Sequence, residues 1–309
     1  MDKKHDLSAM LLRIEKSSMH DGEGLRTVVF LKGCNLRCLW CSTPESQNAE
    51  VEMGFDAERC RDCGACTDSC PKQALGRSKD WRIVMDRDRC CQCLRCRDIC
   101  PYQALFYYGR KVGVAEVQNE VLKDAVFYFH SGGGITVSGG EPLLQADFVA
   151  ELFKRCKGHG INTALETSFC LPWDRAVKVL PYLDTLFVDL KHSDSVSHEQ
   201  ITGVKNDAVL ANIILADKSA EPFDIIMRLP LIPALNDDEI NLRKTAALAA
   251  SLTKLKYLEI LPYHRLGCGT YAKLGREYVL SELPTPSRAY IEQKCEVIRS
   301  SQPNLEVRC

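Results

Sequence analysis

Between residues 59 and 105 one pattern is written twice: RCRDCGACTDSCPKQAL at 59–75 and RCCQCLRCRDICPYQAL at 89–105. Each half is short, charged and poor in aliphatic residues, so neither can bury a core that offsets the entropy of ordering its chain. Segments of this kind fold around a covalent or metal staple. The chain of 309 residues holds 17 cysteines, and eleven of them fall into three tight groups. Its first residues, MDKKHDLSAMLLRIEKSS, lack the apolar stretch and small-residue cleavage site of a signal peptide, so a cytoplasmic location is expected. In that reducing compartment disulfides are unfavourable, and clustered cysteines signal metal or redox chemistry. The scattered six (Cys91, Cys156, Cys170, Cys268, Cys295 and Cys309) read as small core residues or surface thiols.

Each repeat has the spacing Cys-x2-Cys-x2-Cys-x3-Cys-Pro, the ligand run of bacterial two-cluster ferredoxins. Three closely spaced thiolates wrap one cubane, and the fourth, followed by Pro71 or Pro101, turns toward the other. On that rule Cys60, Cys63 and Cys66 share a cluster with Cys100, and Cys90, Cys93 and Cys96 share one with Cys70. Cys91 is left over. Two structural zinc sites are the competing reading, although zinc ribbons separate their cysteine pairs by longer loops.

Outside the repeats, strand-like runs at 27–31, 135–138, 161–165, 185–190, 224–230 and 257–262 alternate with helical spacing at 115–130, 145–157, 173–181 and 237–252. A last helix is expected at 285–300, with Pro286 in its first turn. Six such units imply a parallel sheet with reactive residues gathered just after the strand ends. A net charge of −1 gives no electrostatic case for nucleic acid or an anionic membrane as partner. No apolar run approaches the roughly 20 residues that span a bilayer.

The third cysteine group, Cys34, Cys38 and Cys41, follows the strand TVVFL with spacing Cys-x3-Cys-x2-Cys. Three thiolates on a cubane leave one iron open, as sites that do chemistry require. The alternative is that a distant cysteine, Cys170 or Cys268, closes the cluster. With Trp40 before its last cysteine, this loop resembles the radical S-adenosylmethionine (SAM) superfamily. HDGEGLRTVVFLKGCNLRCLWCSTPES at 20–46 resembles the N-terminal signature of glycyl radical enzyme activating enzymes, and SGGGITVSGGEPLLQ at 131–145 resembles their second signature. A two-cluster ferredoxin insert after the first loop is typical of one branch. The resemblance runs from Leu12 to Tyr271, with Glu23 where the family commonly has Pro and Thr43 where it commonly has Asn.

The resemblance implies an α/β fold: a partial (β/α)6 TIM-like radical SAM barrel beginning in 1–50, a ferredoxin-like insert at 51–110, and the remaining barrel at 111–309. It implies three [4Fe–4S] clusters, one binding SAM at Cys34, Cys38 and Cys41, and two auxiliary. SAM contacts are expected from Trp40, Cys41 and Ser42 in the loop, and from Gly139, Gly140 and Glu141 at the amino group. Asp189, Leu190 and Lys191 are expected near the carboxylate and ribose, and in some members near a bound monovalent cation. Glu166 and Thr167 fall where the family has an acidic residue and Thr, and His264 matches a histidine beside the adenosyl group. Arg228 reads either as a bidentate partner of the SAM carboxylate or as an ordinary buried ion pair. Asp21 would touch an incoming glycyl loop. The implied partners are a glycyl radical lyase or dehydratase and a flavodoxin or ferredoxin as electron donor, in an anaerobic or facultative source. A radical SAM enzyme acting on a small molecule is the nearest rival, and an electron carrier without catalysis of its own the second.

Overall fold

The computed structural model describes residues 7–78 and 83–309; residues 1–6 and 79–82, within the first two expected domains, lie outside that description. Strand β1 (Ser8–Ser18) runs antiparallel to β2 (Arg26–Leu31). The chain then leaves for β3 (Glu52–Phe55), α1 (Ala65–Asp68), β4 (Leu75–Arg77), β5 (Ile83–Met85), α2 (Arg95–Asp98) and β6 (Leu105–Tyr108). It returns as β7 (Arg110–Gly113), which pairs with β1. From there helix and strand alternate through α3 (Val114–Leu122), α4 (Ala125–Ser131), β8 (Gly134–Gly139), α5 (Ala146–Gly158), β9 (Asn162–Thr167), α6 (Trp173–Val177) and β10 (Thr185–Asp189). They continue with α7 (Ser195–Thr202), α8 (Asp207–Lys218), β11 (Asp224–Leu231), α9 (Glu239–Ser251), β12 (Leu255–Pro262), α10 (Cys268–Lys273), α11 (Arg288–Ser301) and β13 (Val307–Arg308). One nine-stranded sheet results, in the order β13-β12-β11-β10-β9-β8-β2-β1-β7. Its run from β2 through β8 to β13 is parallel.

Side-chain alternation gives the sheet two different faces. Val29, Ile135, Leu165, Val188, Met227 and Leu258 point to the face that the helices cover, against Val117 of α3, Leu152 of α5, Ile213 of α8 and Ala246 of α9. Each fully buried large aliphatic there contributes about 1.5–3 kcal/mol. On the other face Ala164, Phe187, Ile226 and Tyr257 form an apolar layer. One layer further toward the C-terminal strand ends the residues become polar, and the site lies there.

The structure differs from the sequence expectation in several places. Residues 8–18 are a strand, held because β2 and β7 flank them on both sides. The helix expected at 115–130 is two, broken at Lys123-Asp124, where the Asp124 carboxylate accepts from Thr27 Oγ1 at 3.0 Å rather than capping the second. The one expected at 173–181 stops at Val177 and gives way to a single 3-10 turn at Leu180–Tyr182. Pro286 lies outside α11, whose cap is Ser287, accepting from the Tyr290 N–H at 3.2 Å. Cys295 and Cys309 are not separate thiols but a disulfide pair, because pairing of β13 with β12 brings the last residue back to α11.

The 52–108 excursion has its own small sheets, β3 with β6 and β4 with β5, and a core that among the described residues includes buried Met53, Cys66, Leu75, Ile83 and Leu105. The repeat extends to the backbone. Asp62 and Gln92, Gly64 and Leu94, and Gln73 and Gln103 all take positive φ at equivalent positions. Among the described residues no helix is long and apolar enough to cross a membrane.

Candidate functional site

The cysteine loop leaves β2 and is pinned on three sides. Gly33 N–H donates to Ser46 O at 2.7 Å, and Glu141 N–H donates to Gly33 O at 2.7 Å. Arg37 and Leu39 N–H groups donate to Thr202 O and Ile201 O at the end of α7, at 2.7 and 3.1 Å. Glycines permit this crowding. A Cβ on Gly139 would meet Leu31 O at 2.2 Å, and one on Gly140 would meet Gly33 O at 2.2 Å. Gly267, which leads into α10, lies over the loop so closely that a Cβ would sit 2.9 Å from the Ser42 Cα.

A cleft with about 1250 Å³ of empty space, open solvent included, lies between this loop and the ends of β8 to β12. Cys34, Cys38 and Cys41 line it together with Trp40, Ser42, Gly139, Gly140, Glu166, Thr167, Asp189, Lys191, Arg228, His264 and Asp21. Burial pushes the Cys34 thiol up to about 11 and Cys38 to about 12. Burial also raises Cys41, against hydrogen bonds from the Thr43 N–H, the Gln47 side chain and the Thr43 hydroxyl. Thiols held this high need a cation in place of their protons before they act as thiolates. Thr43, where the family commonly has Asn, therefore serves Cys41. Neither cysteine considered for closing the cluster lines the cleft. The buried Cys170 faces Lys205 O at 3.7 Å, and Cys268 packs among Trp40, Tyr263 and Tyr271.

The polar wall is built by strand register. Lys191 Nζ donates to Asp189 Oδ2 at 2.9 Å. Burial opposes the Lys191 charge, but Asp189 and then the Cys38 sulfur outweigh it and hold the ammonium above its ordinary range. Arg228 lies over the Phe187 ring at 3.9 Å. Its Nε donates to Glu259 at 2.7 Å, Nη1 to Glu166 at 2.6 Å and Nη2 to His20 O at 3.3 Å. Arg228 thus makes ion pairs with Glu166 and Glu259 while lining the cleft.

Two expected contacts fall elsewhere. Glu141 is fully buried and caps a turn: its carboxylate accepts from Leu143 N–H, Thr167 Oγ1, Ser168 N–H and Ser168 Oγ at 2.6–3.1 Å. It ties the end of β8 to the end of β9 instead of facing the cleft. Leu190 points into the helix-covered core. Residues that sequence reasoning missed include Ser138, Ser168, Ile232 and Tyr263 on the cleft wall, and Glu259 behind Arg228. Glu259 had a signal, being the lone charge inside the apolar run YLEILP.

Two smaller cavities lie in the excursion, each with about 340–370 Å³ of empty space. Cys60, Cys63, Cys66 and Cys100 line one of them. Cys70, Cys90, Cys93 and Cys96 line the other, with Cys91 also on its wall.

A protein-family profile described as a 4Fe-4S single cluster domain matches residues 20–209. A (2S)-3-sulfopropanediol dehydratase activating enzyme of Klebsiella oxytoca is 40% identical over 287 residues, 91% of this chain and 90% of that protein. A trans-4-hydroxy-L-proline dehydratase activating enzyme of Clostridioides difficile is 36% identical over 305 residues, 97% of this chain and 99% of that protein. The crystal structure of a radical SAM methyltransferase from Sphaerobacter thermophilus superposes with a TM-score of 0.52 at 14% identity, over 96% of this chain and 76% of that one, a likeness of fold alone. With the cysteine loop, the glycine turn and the strand ends meeting in one cleft, and with relatives this similar along nearly their whole length, the chain belongs to the glycyl radical enzyme activating enzymes of the radical SAM superfamily.

Proposed function

We propose that this chain activates a partner glycyl radical enzyme, a lyase or dehydratase, at the cleft of Cys34, Cys38 and Cys41. The observation that carries this reading is the shared wall. Three half-buried cysteines face the glycine turn and the ends of five parallel strands, and no fourth thiol lines the cleft among the described residues. Soft thiolates at this spacing fit a [4Fe–4S] cluster with one open iron for the amino and carboxylate groups of SAM. When bound, the cluster supplies one electron for the reductive cleavage of SAM, and the resulting 5′-deoxyadenosyl radical takes a hydrogen atom from a glycine Cα of the partner.

The chain's own residues bind, orient and exclude water. Gly139 and Gly140 bring backbone against the amino group of SAM. Lys191, steadied by Asp189, meets its carboxylate side. Trp40 and Ser42 line the loop side, and His264 the adenosyl side. Arg228 acts behind these groups, fixing Glu166 and Glu259. Asp21, Glu166 and Thr167 face the inner end of the cleft, where a monovalent cation and the incoming glycyl loop would meet carboxylates. Glu141 acts by holding β8 to β9.

The six parallel strands β2 and β8 to β12 form the partial (β/α)6 barrel in this reading, and residues 51–110 form the ferredoxin-like insert between 1–50 and 111–309. Two auxiliary [4Fe–4S] clusters occupy the insert. The crossed lining of its two cavities supports them, since each takes three cysteines from one repeat and the fourth from the other. A flavodoxin or ferredoxin delivers the electron in the cytoplasm. The test is anaerobic incubation of the reconstituted protein with SAM, a one-electron reductant and candidate lyases and dehydratases. A glycyl radical signal in electron paramagnetic resonance is expected with the right partner. SAM cleavage without that signal from any candidate would overturn the reading.

A further inference from the structure

A continuous chain of ion pairs and hydrogen bonds joins the 52–108 excursion to the cysteine loop. Glu52, at the start of β3, has a carboxylate that is 2% exposed. Its Oε1 takes Arg276 Nη2 at 2.6 Å and Arg87 Nη1 at 3.1 Å, while Oε2 is buried without a hydrogen-bond partner among the described residues. Arg276 turns Nη1 to the Pro44 carbonyl at 3.0 Å and to Gln47 Oε1 at 3.3 Å. Pro44 follows Cys41 by three residues, and the Gln47 side chain also reaches the Cys41 sulfur.

At the other end Arg87 donates Nη2 to Met53 O at 3.2 Å and to Leu274 O, and its own carbonyl accepts from the Cys90 N–H at 3.3 Å. Met53 and Cys90 both line the cavity of Cys70, Cys93 and Cys96. Among the described ion pairs, none like this runs from the cavity of Cys60, Cys63, Cys66 and Cys100 to the cysteine loop. Near it the described ion pairs toward α10 amount to Asp56 with Lys273, at 3.6 Å on the surface. Bringing the Glu52 carboxylate out of water and half-burying two arginines against it is costly, and a hydrophobic contact would hold two lobes together as well. What guanidinium forks add is direction, because a planar bidentate donor fixes the orientation of both its partners.

We propose that Arg276 and Glu52 are positioning residues that hold the lobe of Cys70, Cys90, Cys93 and Cys96 at a set separation from the loop of Cys34, Cys38 and Cys41. That lobe, and not the one of Cys60, is then the last station on the electron's way to the SAM site. The proposal rests on the reading that all three cysteine groups carry [4Fe–4S] clusters. One electron leaves the lobe's cluster and enters the loop's; no bond or proton moves, and an external carrier of the flavodoxin or ferredoxin class restores the donor.

The test uses the full chain, anaerobically reconstituted, as Arg276→Met, Arg276→Lys and Glu52→Gln, with Asp56→Asn as control. Iron content, SAM binding, the magnetic interaction between reduced clusters in electron paramagnetic resonance, and carrier-fed SAM cleavage are measured for each. Arg276→Met and Glu52→Gln should keep iron and SAM affinity, lose the cluster–cluster interaction, and slow carrier-fed cleavage on the order of tenfold to a hundredfold. Arg276→Lys keeps the charge without the fork and should show the same loss, whereas Asp56→Asn should match the wild type. An unchanged interaction and rate in Glu52→Gln and Arg276→Lys would overturn the proposal even if Arg276→Met failed to fold. Equal losses in Asp56→Asn would overturn the choice of lobe. A wild-type protein whose iron accounts for a single cluster would instead sink the reading on which the proposal rests.

Discussion

Replacing Gly140 by alanine asks whether the glycine turn and the cysteine loop are held at backbone contact. Gly140 is not among the residues with positive φ, so alanine there meets no conformational penalty and the whole effect is steric. The added methyl would lie 2.2 Å from Gly33 O, 2.8 Å from Gly33 C and 2.9 Å from Ser46 O. All three are backbone atoms, and no side chain can swing aside. Reaching an ordinary contact of 3.4 Å requires the turn or the loop to retreat by about 1.2 Å. That movement strains the bonds from Glu141 N–H to Gly33 O and from Gly140 N–H to Leu31 O, now 2.7 and 3.0 Å. Overpacking of about 1–3 kcal/mol and weakening of two hydrogen bonds give a loss of about 2–5 kcal/mol. If the loop yields instead of the fold, an ångström of misplacement should weaken SAM binding by on the order of a hundredfold. Denaturant titration and equilibrium binding of SAM to the reconstituted protein separate these outcomes. Gly158→Ala is the control: nothing lies within 4 Å of its Cβ position, and the change should be neutral or stabilising by up to about 1 kcal/mol. A Gly140→Ala protein within about 0.5 kcal/mol of wild type, with unchanged SAM affinity, would refute the coupling of turn and loop.

Glu259→Ala should cost about 3 kcal/mol in urea titration, because it strips one carboxylate from the buried Arg228 guanidinium. Glu306→Ala, at the exposed pair with Arg308, should cost under about 1 kcal/mol, and equal losses would refute the distinction. His198 is buried with Nδ1 at 2.5 Å from Val204 O, and burial lowers its affinity for a proton. The unfolded chain therefore takes up a proton below about pH 6.5 that the folded chain refuses, and stability falls with pH through that window. His198→Asn should flatten this slope, and an unchanged slope between about pH 6.5 and 5 would assign it to other groups. The Cys295–Cys309 bridge closes a separation of 14 residues, worth about 3 kcal/mol. Reductant should lower the denaturation midpoint of the wild type and leave Cys309→Ser unmoved, and a wild type insensitive to reductant would exclude the bridge.

Much of the sheet was legible in the chain because covered parallel strands are continuous apolar runs. TVVFL, ITVS, INTAL, TLFVDL, DIIMRLP and YLEILP each overlap an observed strand, and their order gave the parallel arrangement. Strand β1 was not legible. SAMLLRIEKSS carries charge through its second half, and it is a strand because β2 and β7 supply hydrogen-bond partners on both edges. β7 in particular lies over ninety residues further on, and so distant a partner leaves no mark on the segment itself. The crossed cysteine cavities were legible for the opposite reason, since a duplicated local run fixes its own geometry.

The site was legible in position but not in direction. A motif says which loop a residue occupies, while the parity of the strand before it decides where the side chain points. Parity alone separates Leu190 from Asp189: Phe187 and Asp189 share the polar face, and Val188 and Leu190 share the helix-covered one. Register then finds the residue that the motifs missed. Arg228 stands opposite Glu259 in the pairing of β11 with β12, so a buried arginine there meets that carboxylate before it meets any ligand. Glu141 lies on a turn, where parity does not apply, and the signal is a count of donors. Thr167 and Ser168 bring hydroxyls and an N–H to the end of the neighbouring strand, and only a buried acceptor satisfies them together. A carboxylate saturated in this way has no lone pair to spare for an ammonium group. What it does in the fold is tie the end of β8 to the end of β9 beside the cleft.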